Sequence, residues 1–125
     1  MIEQFQVETT PEFDKDFKAL EKRYRTLKED FQIFLNAQLA PLHKLGIDNG
    51  GAVPISDLGN SPLPIYKAKK FACRSLKGKG ARTGIRVIYA YNQEINQLTF
   101  IEIYIKSDKE NEDRKRIDRY LSSIT

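Results

Sequence analysis

Residues 65–91, IYKAKKFACRSLKGKGARTGIRVIYAY, constrain the fold more than any other stretch. Two apolar runs, at about 64–73 and 84–91, flank a glycine-broken turn at 78–84. Runs rich in Ile, Val, Tyr and Phe and bounded by turn residues read as strands, so the pair forms a hairpin. The same hairpin carries Lys67, Lys69, Lys70, Arg74, Lys77, Lys79, Arg82 and Arg86, and no acid lies between Asp57 and Glu94. Cations gathered on one hairpin, instead of dispersed over the surface, create a local positive field and point to a phosphate-facing site.

The rest of the chain supplies cover for that hairpin. Alternation around Phe5 and Val7 predicts a short first strand. Thr10-Pro11 predicts a helix start, and Phe13, Phe17, Leu20 and Tyr24 then fall on one helical stripe. Thr26-Leu27-Lys28-Glu29 has the form of a capping box, opening a second helix that Pro41 should interrupt. Residues 46–62 are rich in Gly, Pro, Asn and Asp and predict a long loop. After the hairpin, 98–105 reads as a last strand, with Ile101, Ile103 and Ile105 on one face and Phe100, Glu102 and Tyr104 on the other. Ser107-Asp108-Lys109-Glu110 repeats the capping-box form and predicts a C-terminal helix buried through Ile117, Tyr120, Leu121 and Ile124. The order β-α-α-β-β-β-α predicts an α+β fold, two N-terminal helices packed on a twisted antiparallel sheet, in one small domain over 1–125.

Composition excludes several classes. Forty per cent apolar and 30% charged residues describe an ordinary globular chain long enough to bury a core without staples. Cys73 is the only cysteine, so no intrachain disulfide is expected, and its apolar surroundings predict a buried side chain. No apolar run approaches a membrane span, and MIEQFQVETT lacks the basic and apolar regions of a signal peptide, so a cytoplasmic protein is expected. His43 is the sole histidine and reads as a surface residue beside the loop. With no second histidine and no cysteine pair, neither a metal nor a cofactor is expected.

Nucleic acid is the natural partner of such a hairpin. The Gly78-Lys79-Gly80 turn lacks the spacing of a P-loop and does not open a helix, so nucleotide triphosphate binding has no support. Cleavage of RNA through its 2′-hydroxyl needs a base, an acid and positive charge on the phosphorane. Crowded lysines can lose charge to their neighbours, which admits Lys77 and Lys79 to such a role, while the Arg86 fork suits a phosphate. A basic hairpin that merely keeps the protein soluble, or that meets an acidic protein, fits the same residues.

The chain resembles the RelE/ParE toxins of type II toxin–antitoxin systems. The resemblance rests on Phe13-Asp-Lys-Asp-Phe17-Lys-Ala-Leu20, Lys77-Gly-Lys79-Gly, Gly84-Ile-Arg86-Val-Ile-Tyr89 and Ile103-Tyr104-Ile-Lys106-Ser107-Asp108. It implies a RelE-like, microbial-RNase-like fold and a toxin that cuts mRNA on the ribosome without a metal. It also implies a cognate antitoxin as partner, and no membrane. By that resemblance Arg86 contacts the scissile phosphate, and lysines nine and seven residues before it, Lys77 and Lys79, supply base and charge. Lys67, Lys69, Lys70, Arg74 and Arg82 would steer RNA, with Tyr104, Lys106 and Lys109 as further RNA contacts. Ser107 and Asp113 stand where the family carries an arginine and a base-stacking tyrosine. Two other readings follow from the same resemblance: a ParE-like gyrase inhibitor, and a catalytically inactive interaction protein of this fold.

Overall fold

The computed structural model describes residues 5–48 and 50–124. In chain order these form β1 (Gln6–Thr9), α1 (Pro11–Arg23) and α2 (Leu27–Phe34), then a π-helical segment (Leu35–Leu39) leading into α3 (Ala40–Leu45). They continue with β2 (Ala52–Pro54), β3 (Ile65–Ala68), β4 (Ile85–Asn92), β5 (Gln97–Ile105) and α4 (Arg114–Ser123). The sheet order is β1-β5-β4-β3-β2. Strands β2 to β5 are antiparallel neighbours, while β1 joins β5 in parallel, Gln6 opposite Gln97, so the sheet is mixed.

The start of α1 is as its sequence dictates. The Thr10 hydroxyl accepts the Phe13 N–H at 3.1 Å, and Pro11 occupies a position that has no hydrogen bond to lose. Phe13 and Leu20 are buried, with Phe17 and Tyr24 packed beside them. Helices α1 and α2 cover one face of the sheet through Phe13, Phe31, Phe34 and Phe100, whose rings lie 4.9–5.8 Å apart in successive contacts. Helix α4 covers the other face, where Ile117 and Leu121 meet Ile65, Ile88, Ala90, Ile101 and Tyr104.

Several expectations are corrected. Pro41 does not end the second helix: the preceding segment widens so that the Ala40 N–H reaches the Leu35 carbonyl five residues back, and the helix runs on to Gly46 at φ 70°. The 46–62 loop contains β2. Strand β3 stops at Ala68 instead of reaching Cys73. In β5 the alternation changes phase. Ile88 pairs with Glu102 and Tyr89 with Phe100, leaving Ile101 as an extra residue. Phe100 therefore shares a core with Ile103 and Ile105, and Ile101 joins Tyr104 on the α4 side. The last helix begins at Arg114, capped by Asp113, because the Asp108 and Lys109 N–H groups turn back onto the Ile105 carbonyl.

The Thr26 box is replaced by a tertiary contact. Thr26 makes no helix cap; its hydroxyl lies 2.6 Å from Asp30 Oδ2 and 2.8 Å from Ser75 Oγ. Asp30, 3% exposed, also accepts the Arg74 backbone N–H and Nε, each at 3.0 Å. Burial works to raise the Asp30 pKa, but donation from Thr26 and Arg74 outweighs it and holds the carboxyl below its ordinary value. A carboxylate with a depressed folded pKa stabilises above the ordinary carboxylate range, and that contribution fades as pH falls through the folded value. Urea titrations should show Asp30→Asn costing about 2–3 kcal/mol at neutral pH, with the gap to the parent closing in acid.

Candidate functional site

The connection from 69 to 84 leaves the sheet as an arm whose base is fixed and whose tip is bare. Phe71 is fully buried against Phe31 and Phe34. Cys73 is buried as expected, and desolvation pushes its thiol pKa up. Arg74 spans Asp30 and Glu29, its Nη2 2.5 Å from the latter, so this expected RNA contact serves as a clamp on α2. The buried Thr83 hydroxyl donates to the Phe71 carbonyl at 2.6 Å and closes the arm. Between these anchors Gly78 and Gly80 take φ of 77° and 58°, and Lys77, Lys79 and Arg82 are exposed.

Arg86 lies on β4 directly opposite Tyr104 on β5. Its Nη1 donates to the Lys69 carbonyl at 3.0 Å, which brings the end of β3 against it. The Lys106 N–H donates to the Gly84 carbonyl at 2.8 Å, bringing the end of β5 to the other side. Lys69, Arg86 and Lys106 thus stand near the ends of three neighbouring strands, Lys106 lying one diagonal step from Arg86 because Tyr104 is the residue directly opposite it. Counting nine and seven residues back from Arg86 reaches the arm, whereas strand pairing puts Lys67 and Lys69 beside it. The length of the 69–84 connection separates the two positions.

The expected cations now divide by their partners. Lys67, two places before Lys69, shares the Arg86 face and binds Glu112 Oε1 at 3.0 Å, the two side chains being 14% and 10% exposed. Lys109 pairs with Glu102, a carboxylate 1% exposed that also accepts the Asp113 N–H at 2.8 Å. Lys109 further stands 5.0 Å over the Tyr104 ring. By contrast, Lys69, Lys77, Lys79, Arg82, Arg86 and Lys106 meet no carboxylate among the described residues. Lys70 lies near Gly50, whose added Cβ would approach its Nζ to 3.9 Å.

Burial alone would lower the Lys67 pKa, yet the Glu112 carboxylate and the Tyr104 hydroxyl beside it raise it, so Lys67 stays a cation. Burial raises the Glu112 pKa less than Lys67 lowers it, and Glu112 stays an anion. Burial likewise raises the Tyr104 pKa. The residue is 6% exposed, and its hydroxyl has no hydrogen bond of ordinary geometry among the described residues.

Glu102 and Glu112 escape sequence reasoning, because they sit in a strand face and in a charged run that reads as solvated. His43 is no surface residue. It packs among Phe5, Tyr66, Tyr89 and Tyr91 on the opposite face, its Nε2 2.7 Å from the Tyr89 hydroxyl, and burial lowers its pKa to about 4. Among the described residues no three His, Cys, Asp or Glu side chains are grouped to hold a metal, and no helix is long and apolar enough to cross a membrane.

The sequence matches no protein-family model and no curated protein. Its backbone has solved counterparts. A chain of the toxin–antitoxin complex RelBE2 from Mycobacterium tuberculosis aligns at TM-score 0.53 and 14% identity, over 82% of this chain and 99% of that one. The conserved hypothetical protein HP0892 from Helicobacter pylori aligns at 0.52 and 18%, over 84% and 98%. A metal-bound toxin from Helicobacter pylori aligns at 0.51 and 18%, over 85% and 99%. The α+β fold is therefore RelE-like, as the sequence resemblance implies.

Gly84 holds φ at 82° where β4 begins, and its carbonyl fixes Lys106. Gly84→Ala forces a side chain into that left-handed backbone, and its added Cβ would stand 3.6 Å from Ile105 Cγ1. Chemical denaturation should register a loss of about 1–2 kcal/mol.

Proposed function

We propose that this chain is the toxin of a type II toxin–antitoxin module and an endoribonuclease that cuts mRNA on the ribosome. One observation carries the reading: on a RelE-like fold, Arg86 stands between Lys69 and Lys106, and among the described residues no carboxylate neutralises them. Such a trio matches the charge of a phosphodiester in flight to a phosphorane. A guanidinium fork can hold two of its oxygens while flanking ammonium groups offset the charge that develops. The reaction is attack of the ribose 2′-hydroxyl on the adjacent phosphate with departure of the 5′-oxygen.

In this scheme Arg86 is the phosphate ligand, and Lys69 and Lys106 flank it. Lys77, Lys79 and Arg82 reach from the arm, Lys77 and Lys79 supplying charge or a proton acceptor and Arg82 gripping the backbone of the message. Lys67 is charged and already paired, which suits it to binding and not to proton abstraction. The partners are mRNA in the ribosome, which places the protein in the cytoplasm, and an antitoxin whose acids neutralise the unpaired cations.

The test is induction of the protein in a translating extract with primer-extension mapping of the message. Arg86→Ala should lower cutting by about 10²–10³-fold while the unfolding midpoint stays within a degree or two of the parent. Lys69→Ala against Lys79→Ala ranks strand end against arm. Equal cutting by the parent and Arg86→Ala sinks the scheme, and DNA breaks with intact mRNA would instead favour a gyrase inhibitor.

A further inference from the structure

Residues 107–113 cross the α4 face of the sheet beside the site just described. They are tied down by charge more than by apolar packing. Glu112 meets Lys67, Lys109 meets Glu102, and Asp108 meets Arg23. Residues 107–111 are exposed, and a hollow of about 240 Å³ lies alongside, lined by Arg23, Glu102, Tyr104, Asp108 and Lys109.

Beneath this segment the sheet presents an incomplete set of anion ligands. Lys67 and Arg86 lie on the same face, on adjacent strands and diagonal to one another. Tyr104 faces Arg86 across the β4–β5 pair. Its hydroxyl is buried beside the Lys67 ammonium, and among the described residues it finds no acceptor for its own proton, which is uncommon for a native side chain and marks a donor awaiting an acceptor. The Glu112 carboxylate supplies Lys67 with an oxygen and a negative charge but gives the Tyr104 hydroxyl no hydrogen bond.

We propose that residues 107–113 are a strap closing a second phosphate subsite, formed by Lys67 and the Tyr104 hydroxyl next to Arg86, and that Glu112 occupies the place of a phosphodiester oxygen there. The ligand is single-stranded RNA, and this rests on the reading that the strand ends face RNA. A phosphodiester brings the charge of Glu112 and a further acceptor for Tyr104, so it competes for the same lysine. Binding at the subsite and opening of the strap are then one event. In the closed state the chain holds its own anion over part of its positive surface.

Full-length protein and a short fluorescein-labelled 2′-O-methyl RNA, which cannot be cut through the 2′-position, test the strap by anisotropy over a salt series. Glu112→Gln should bind roughly tenfold more tightly, the order of one regained charge-assisted hydrogen bond. Its log K against log salt should steepen by about 0.7, one more single-strand phosphate contact. Adding Lys67→Gln should erase both gains, and adding Tyr104→Phe should erase part of the first. In the unmodified protein, inorganic phosphate should speed amide exchange across 107–113, a readout independent of how well the variants fold. Unchanged affinity and slope in a folded Glu112→Gln, a gain that survives Lys67→Gln, or exchange indifferent to phosphate each overturn the strap. A Glu112→Gln gain in a protein that leaves mRNA intact keeps the strap and removes the nuclease. Cutting by the parent with no Glu112→Gln gain does the reverse.

Discussion

Asp30 sits where helix and arm meet, almost without solvent, and both of its oxygens are occupied. A buried carboxylate left alone would cost several kcal/mol, so its partners are compulsory. Thr26 and Arg74 meet that demand, and in doing so they pin residues 74 and 75 of the arm to the start of α2. The long 69–84 connection is therefore not a loose loop. Its base is clamped by Asp30 and by Phe71 in the aromatic core, and only its tip is free to present cations. The ends of β3 and β4, on which Lys69 and Arg86 stand, inherit their positions from that clamp.

The same electrostatic logic sorts the basic residues. Charge that the fold uses is matched: Arg74 by Asp30 and Glu29, Lys67 by Glu112, Lys109 by Glu102. Charge that the fold does not use meets no carboxylate among the described residues and sits at the strand ends and the arm tip. Self-repulsion among such cations opposes folding, so gathering them in one place does nothing for stability.

Much of the architecture could be read from residue spacing, because each signal was local. Thr10-Pro11 makes its own cap, and the apolar run of 84–91 makes its own strand. The misreadings each involve a distant partner. Thr26 has the residues of a capping box, but Asp30 and Ser75 compete for its hydroxyl. Ile101 is an extra residue because of how β4 lies against β5, a relation that β5 alone does not contain. Pro41 is tolerated by a widened turn that Ala40 and Leu35 share. For the proposed site, Arg86 was legible as a candidate from Gly84-Ile-Arg86, a local pattern. Its neighbours were not, since counting along the chain follows the arm whereas proximity follows the ladder to Lys69 and Lys67.

The parallel pairing of β1 with β5 joins residues 6–9 to residues 97–100, near opposite ends of the sequence. Contacts of such separation close late, after the shorter-range antiparallel strands have formed. During synthesis β1 has no strand to join until β5 has left the ribosomal exit tunnel, and Arg86 has no Tyr104 opposite it before then. Lys106 consequently joins Lys69 and Arg86 only after β5 has emerged. The basic arm and Arg86 therefore leave the tunnel before the strand that sets Tyr104 and Lys106 beside them.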